Sequence, residues 1–182
     1  MPILAGAEPL TPETTIRPAR AGEEDVVLDL LAEAAAWLAR RGIHQWPQRF
    51  PWESVHGQIQ AGEVLLIVGP GGPVATCAVS EADPELWGET TQPAYYLGRL
   101  AVAREAAGAG LGIRIVDWVG EKAAAHQKTF VRVATTRDNA ALRGYYERMG
   151  FEHVADPPAA KWPTSLYEKP AGGSRQTEDL RP

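Results

Sequence analysis

Gly108, Gly110 and Gly112, spaced by Ala109 and Leu111, follow a strand-like run and open a helix-like one. Glycine lets a backbone come close to a ligand, and the first amides of a helix point outward with the positive end of its dipole behind them. That pairing suits a pyrophosphate. Two other phosphate loops do not fit. A dinucleotide fingerprint needs a glycine three residues beyond Gly110, where Ile113 stands, and an acidic residue closing the next strand, where Thr135 and Thr136 stand. A nucleotide-triphosphate loop needs Gly-Lys followed by Ser or Thr, which this segment lacks. Cys77, the one cysteine, sits in the apolar run VATCAV and reads as a small buried hydrophobe rather than a nucleophile. A single cysteine excludes an internal disulfide and a cysteine-based zinc cluster, and no metal is expected.

Such a turn needs a strand before it and a helix after it. The run AYYLGRLAV supplies a strong strand, and from Leu111 the apolar residues Leu111, Ile115, Trp118 and Val119 return at helical spacing. Upstream, Thr15-Ile16-Arg17 offers a short strand limited by Pro18, and EEDVVLDLLAEAAAWLARRG is the clearest helix, with Val27, Leu30, Leu31, Ala34 and Leu38 on one face. Residues 43–52, IHQWPQRFPW, read as a rigid aromatic loop, with a short helix expected over Glu53 to Gln60. EVLLIVG and PVATCAV flank a glycine-rich turn as a hairpin, and SEADPELWGETTQP reads as an acidic surface loop. TFVRVATT predicts a strand and NAALRGYYERMG a helix stopped by Gly150, with two weaker strands over Phe151–Val154 and Ser165–Glu168. The expected layout is a mixed α/β sheet with helices on its faces.

The 182 residues suffice for one such core. Residues 1–13 are expected to be a disordered tail, 14–169 a single domain and 170–182 a flexible polar tail. The net charge is -5 with scattered basic residues, which argues against a nucleic-acid surface while favouring a cationic amine. No run approaches the ~18 apolar residues of a membrane span. The opening segment lacks a basic region and is broken by Pro2, Pro9 and Pro12, so a cytoplasmic location is expected.

The stretch LAVAREAAGAGLGIRIVDWV, then a strand, then NAALRGYYERMGF, resembles the GNAT superfamily of acyl-CoA-dependent N-acyltransferases. The resemblance implies a central, mostly antiparallel sheet splayed at a bulged strand and flanked by about four helices. It implies acetyl-CoA as cosubstrate, with Ala107, Gly108, Ala109, Gly110, Leu111 and Gly112 around the CoA pyrophosphate and no metal. Leu100, Ala101 and Val102 match the strand that holds the acyl carbonyl and the pantetheine arm. Tyr146 matches the tyrosine that protonates the CoA sulfur; Tyr145 faces about 100° away on an ideal helix. Asn139 matches the asparagine that contacts the cofactor arm, and Asn is equally a preferred helix cap. Ala107 departs from the family, which usually has Gln or Arg there, and Arg104, Arg114 or Arg143 are the candidates to make up that phosphate contact.

In the same family the loop after the first helix builds one wall of the acceptor site, so His44, Trp46 and Arg49, with Glu81 from the acidic loop, are candidate acceptor-binding residues. The aromatic residues serve equally as a plug at the sheet edge. The general base is open among Glu81, Asp83, Glu85, His44 and Asp138. The expected activity is acetyl transfer to a primary amine of a small molecule by direct attack on the thioester, in a homodimer without nucleic-acid or membrane partners. A protein or peptide N-acetyltransferase and a non-catalytic acyl-CoA sensor are the alternatives.

Overall fold

The computed structural model describes residues 2–158 and 160–172. In chain order the elements are β1 (Glu8–Thr11), β2 (Thr14–Pro18), α1 (Glu24–Ala39), α2 (Trp52–Gln60), β3 (Val64–Gly69), β4 (Gly72–Ser80), α3 (Pro84–Trp87), β5 (Ala94–Val102), α4 (Leu111–Ala125), β6 (Phe130–Thr136), α5 (Ala140–Arg148), β7 (Glu152–Ala155) and β8 (Thr164–Pro170). One sheet runs β1-β2-β3-β4-β5-β6-β8-β7. Its neighbours are antiparallel except β5 and β6, which run parallel. This is the mixed, mostly antiparallel sheet that the resemblance implies.

Alternation along the strands divides the core between the two faces. On β3, Leu65 and Ile67 pack with Ile115, Val116 and Val119 of α4, whereas Val64 and Leu66 pack with Val27, Leu28 and Leu31 of α1 and with Val55 and Ile59 of α2. Each face of the sheet therefore gains its own helical cover, which removes apolar surface from water on both sides.

Residues 1–13 were expected to be a disordered tail, and the structure corrects this. Glu8–Thr11 pairs with β2 as an edge strand, while Ile3, Leu4 and Leu10 are buried in the core beside α4. Pro9 and Pro12 suggested a broken tail, but an edge strand tolerates a residue without an N–H. The Nε1 of Trp118 and the Nζ of Lys122 both donate to the Glu8 carboxylate and tie this strand to α4. At the other end Pro170 closes β8, and residues 173–182 of the expected polar tail lie outside the described residues. The acidic loop holds a single helical turn, α3, whose Leu86 N–H donates to the Asp83 side chain at 3.3 Å. Among the described residues no helix is long and apolar enough to cross a membrane, and no group of His, Cys, Asp or Glu could hold a metal.

Candidate active site

The site begins with one extra residue. Thr76 of β4 faces Ala101 of β5, but Ala78 faces Gly98, so three steps on β5 oppose two on β4. Arg99 takes up the slack in the left-handed region, at φ 49. The insertion reverses the alternation: before it Tyr95 and Leu97 point to the α4 face, and after it Leu100 and Val102 do. The β5–β6 ladder stops at Leu97 opposite Val133, and the strands diverge beyond it. Residues 98–102 thus present one strand edge to an opening instead of a neighbour, with backbone groups available to an extended ligand. That opening belongs to a cavity of about 1260 Å³.

Of the glycine turn after β5, Gly112 lines this cavity. Gly108 and Gly110 have φ of 87° and 76°, and a Cβ added at either would meet nothing within 4 Å. Gly108, Ala109 and Gly110 are exposed, and Ala107 before them is extended. No side chain caps α4, and its first backbone bond runs from the Arg114 N–H to the Gly110 carbonyl at 3.0 Å. The N–H groups of Leu111, Gly112 and Ile113 come before that bond and lack helical acceptors, the usual condition of a helix start. At Gly112 a Cβ would stand 2.8 Å from the Tyr145 hydroxyl, so glycine here lets that ring lie against the turn. Of the three candidate arginines, Arg114 is held by the Leu10 carbonyl and Glu121, and Arg143 by the Tyr167 hydroxyl and the Arg137 carbonyl. Arg104 instead lines the cavity, its guanidinium 4.2 Å from the Trp37 ring centre.

Helix α5 closes the same half. Asn139 caps it, accepting from the Leu142 N–H at 3.0 Å, while its amide donates to the Gln45 side chain of the aromatic loop at 3.0 Å. Tyr146 is 7% exposed, wedged edge-on between Tyr145 and Phe151, and lines the cavity. Burial, then the neighbouring Tyr145 and Cys77, push its phenol well above the ordinary tyrosine value, so it keeps its proton across the working range. Burial likewise pushes the Cys77 thiol up to about 12, which leaves almost no thiolate for nucleophilic work.

The other half is walled by α1, the aromatic loop, α2 and α3. His44 lies exposed at the rim, whereas Trp46 and Phe50 both pack on the α1 core and line the cavity. Two expected acceptor residues are misplaced. Arg49 does not line the cavity; it reaches back to α1, 2.9 Å from Asp29 and 3.6 Å from Asp25. Glu81 does not line it either and pairs with Lys128, because α3 turns the loop so that Asp83 and Glu85 face inward instead. Asp138 also lines the cavity.

Two residues escaped sequence reasoning. Glu63, just before β3, lines the cavity and bonds Gln58; burial raises its carboxyl above the usual range, as burial does first for Asp83. An acid next to a fully apolar strand was its only trace. Arg99 was visible as the one charge inside AYYLGRLAV, a costly position unless something is built around it.

The family model described as Acetyltransferase (GNAT) family matches residues 30–151. A Bacillus subtilis strain 168 protein, named Uncharacterized N-acetyltransferase YesJ, is 34% identical over 145 residues, covering 75% of this chain and 81% of its own. Among solved structures, a GNAT family acetyltransferase from Listeria monocytogenes 4b F2365 superposes with a TM-score of 0.73 at 24% identity, covering 85% of this chain and 93% of that one. A Salmonella typhimurium acetyl transferase that modifies the N-terminal serine of the 50S ribosomal subunit protein L7/L12 superposes with a TM-score of 0.65 at 16% identity, covering 90% and 98%.

Proposed function

This chain belongs to the GNAT acetyltransferase family and is an acetyl-CoA-dependent N-acetyltransferase; from that premise we propose that its acceptor is the primary amine of a small molecule, which attacks the thioester directly. The observation that carries the reading is the enclosure of the acceptor half, where α1, the aromatic loop, α3 and residues 161–164 wall a cavity that is continuous with the β5 opening. The ribosomal-protein acetyltransferase above shares the fold at 16% identity, which sets no substrate for this chain.

In this reading the backbone amides from Gly108 to Gly112 receive the CoA diphosphate, and the free edge of Leu100, Ala101 and Val102 pairs with the pantetheine arm and polarises the acyl carbonyl. Asn139 contributes through the loop it pins, holding Gln45 against the cofactor half. The amine nitrogen forms a bond to the carbonyl carbon, the carbon–sulfur bond breaks, the amine gives up a proton and the sulfur gains one. Tyr146 supplies the sulfur's proton, as a phenol that burial keeps neutral. The amine's proton passes to Glu63 or Asp83, the two carboxyls that burial makes more basic.

The test is thiol release from acetyl-CoA with free amines and with peptides. Free amines turned over ahead of peptides support the proposal; peptides ahead, or tight acetyl-CoA binding with no turnover, overturn it. Tyr146→Phe is expected to lower kcat by about 10- to 100-fold with CoA affinity nearly unchanged. An unaltered kcat at every pH removes Tyr146 from its role.

A further inference from the structure

Arg99 is the residue that the bulge creates, and its backbone sits at φ 49, a conformation that side-chain-bearing residues adopt at a cost. Its side chain enters the acceptor half. There Nη1 donates to the Gln58 side chain at 2.7 Å, Nη2 donates to the Ser54 hydroxyl at 2.6 Å, and the guanidinium lies 4.3 Å from the centre of the Phe50 ring. Every one of these partners is neutral. Among the described residues no carboxylate forms an ion pair with it, and burial alone acts on its charge, making the cation harder to keep. The nearby Glu63 stops at Gln58, which stands between the two.

Arg99 is half-buried; Arg132, a fully buried arginine of the same cavity, shows the contrast, since it pairs with Glu168 at 2.9 Å. A guanidinium carries five N–H donors in a fixed fork, suited to a carboxylate, and burying one without a counter-charge is expensive. Here the fork is held at Nη1 and Nη2 by neutral acceptors and steadied by an aromatic face. No described residue supplies the anion that would complete it.

We propose that the acceptor carries a carboxylate beside its amine, as a free amino acid does, and that Arg99 binds that carboxylate. This rests on the amine-acetyltransferase reading above and narrows its substrate. Arg99 is joined directly to Leu100, on the diverging edge of β5, so a carboxylate held by its fork keeps an adjacent amine close to that edge. Trp46 and Phe50 face the remainder of the molecule, while Asp83, Glu85 and Glu63 complement its ammonium before the proton is lost.

The test needs only the wild-type protein and matched acceptors: leucine, methionine and phenylalanine, each beside its amide and its decarboxylated amine. A site built around a charged group rejects analogues that lack it, so kcat/KM is expected to fall about 100-fold from each preferred amino acid to its two analogues. Arg99→Gln is expected to bring that ratio to within about threefold of one, with CoA affinity measured alongside to show a folded cofactor site. Amides and decarboxylated amines used as well as the amino acids, or peptides used ahead of them, overturn this proposal while leaving acetyl transfer intact. A ratio that survives in Arg99→Gln overturns the assignment to Arg99. Failure of every acceptor despite bound acetyl-CoA overturns the small-amine reading and this one with it.

Discussion

Replacing Gly110 by alanine separates a phosphate-binding turn from a plain one. Gly110 has a φ of 76°, and its added Cβ would meet nothing within 4 Å. The protein alone therefore suffers backbone strain and no clash, about 1–2 kcal/mol for a left-handed residue with a side chain. Gly42, at the end of α1, is a matched control with the same φ of 76° and the same open surroundings. In a domain of this size each kcal/mol lowers the melting temperature by about 2–4 °C, so both variants should lose a similar ~2–8 °C. The open space at Gly110, unlike that at Gly42, is where the diphosphate is proposed to sit. Losing one charge-assisted N–H contact there is worth about 1.5–3 kcal/mol, or roughly 10- to 150-fold in CoA affinity. Calorimetric titration with CoA and with pantetheine, which lacks the diphosphate, reads this directly. Gly110→Ala should weaken CoA and spare pantetheine, and Gly42→Ala should spare both. If both variants lose stability alike and neither loses CoA affinity, the turn is structural and does not hold the diphosphate.

Glu63→Gln and Asp83→Asn test the base: the variant that removes it should abolish the acidic limb of kcat/KM against pH. Because burial raises both carboxyls above the ordinary values of 4.5 and 3.8, the wild-type limb should have its midpoint above those values. Glu23→Gln tests a structural pair, in which the Glu23 carboxylate accepts from both Arg17 Nη atoms at 2.9 and 2.7 Å. Arg17 holds Glu23 below its ordinary 4.5, so its stabilisation is present above that value and fades as pH falls through the lower folded value. Denaturant unfolding should show the variant weaker by about 1 kcal/mol at neutral pH, with the gap closing in acid. Gly120→Ala would set a Cβ 2.1 Å from the Gly172 carbonyl oxygen, where α4 meets the chain leaving β8. A thermal melt should show a loss of about 1–3 kcal/mol, and an unchanged melting temperature would mean that this segment moves aside freely.

Much of the fold was legible along the chain. The run AYYLGRLAV is β5 from end to end, Leu111 opens α4, and the aromatic run between α1 and α2 carries no strand or helix until Trp52. Edge strand β1 was not legible, because Pro9 within it and Pro12 just after it look like breakers unless the strand's outer side is known to be free. The inward turn of Asp83 and Glu85, and the outward turn of Glu81, depended on a helical turn too short to leave a periodic pattern.

What the sequence determined by itself is local: period two or period three-and-a-half in the apolar residues, glycines where φ must be positive, and the spacing of the glycine turn from the helix that carries Tyr146. These follow from steric limits and burial within a few residues of each other. Tertiary structure decided which polar groups meet. Asn139 meets Gln45 across 94 positions and Arg99 meets Ser54 across 45. Arg49 turned to α1 and away from the cavity. The partners of Arg99 depend on where the β5 ladder slips by one residue, and no local pattern specifies the direction in which a side chain then points.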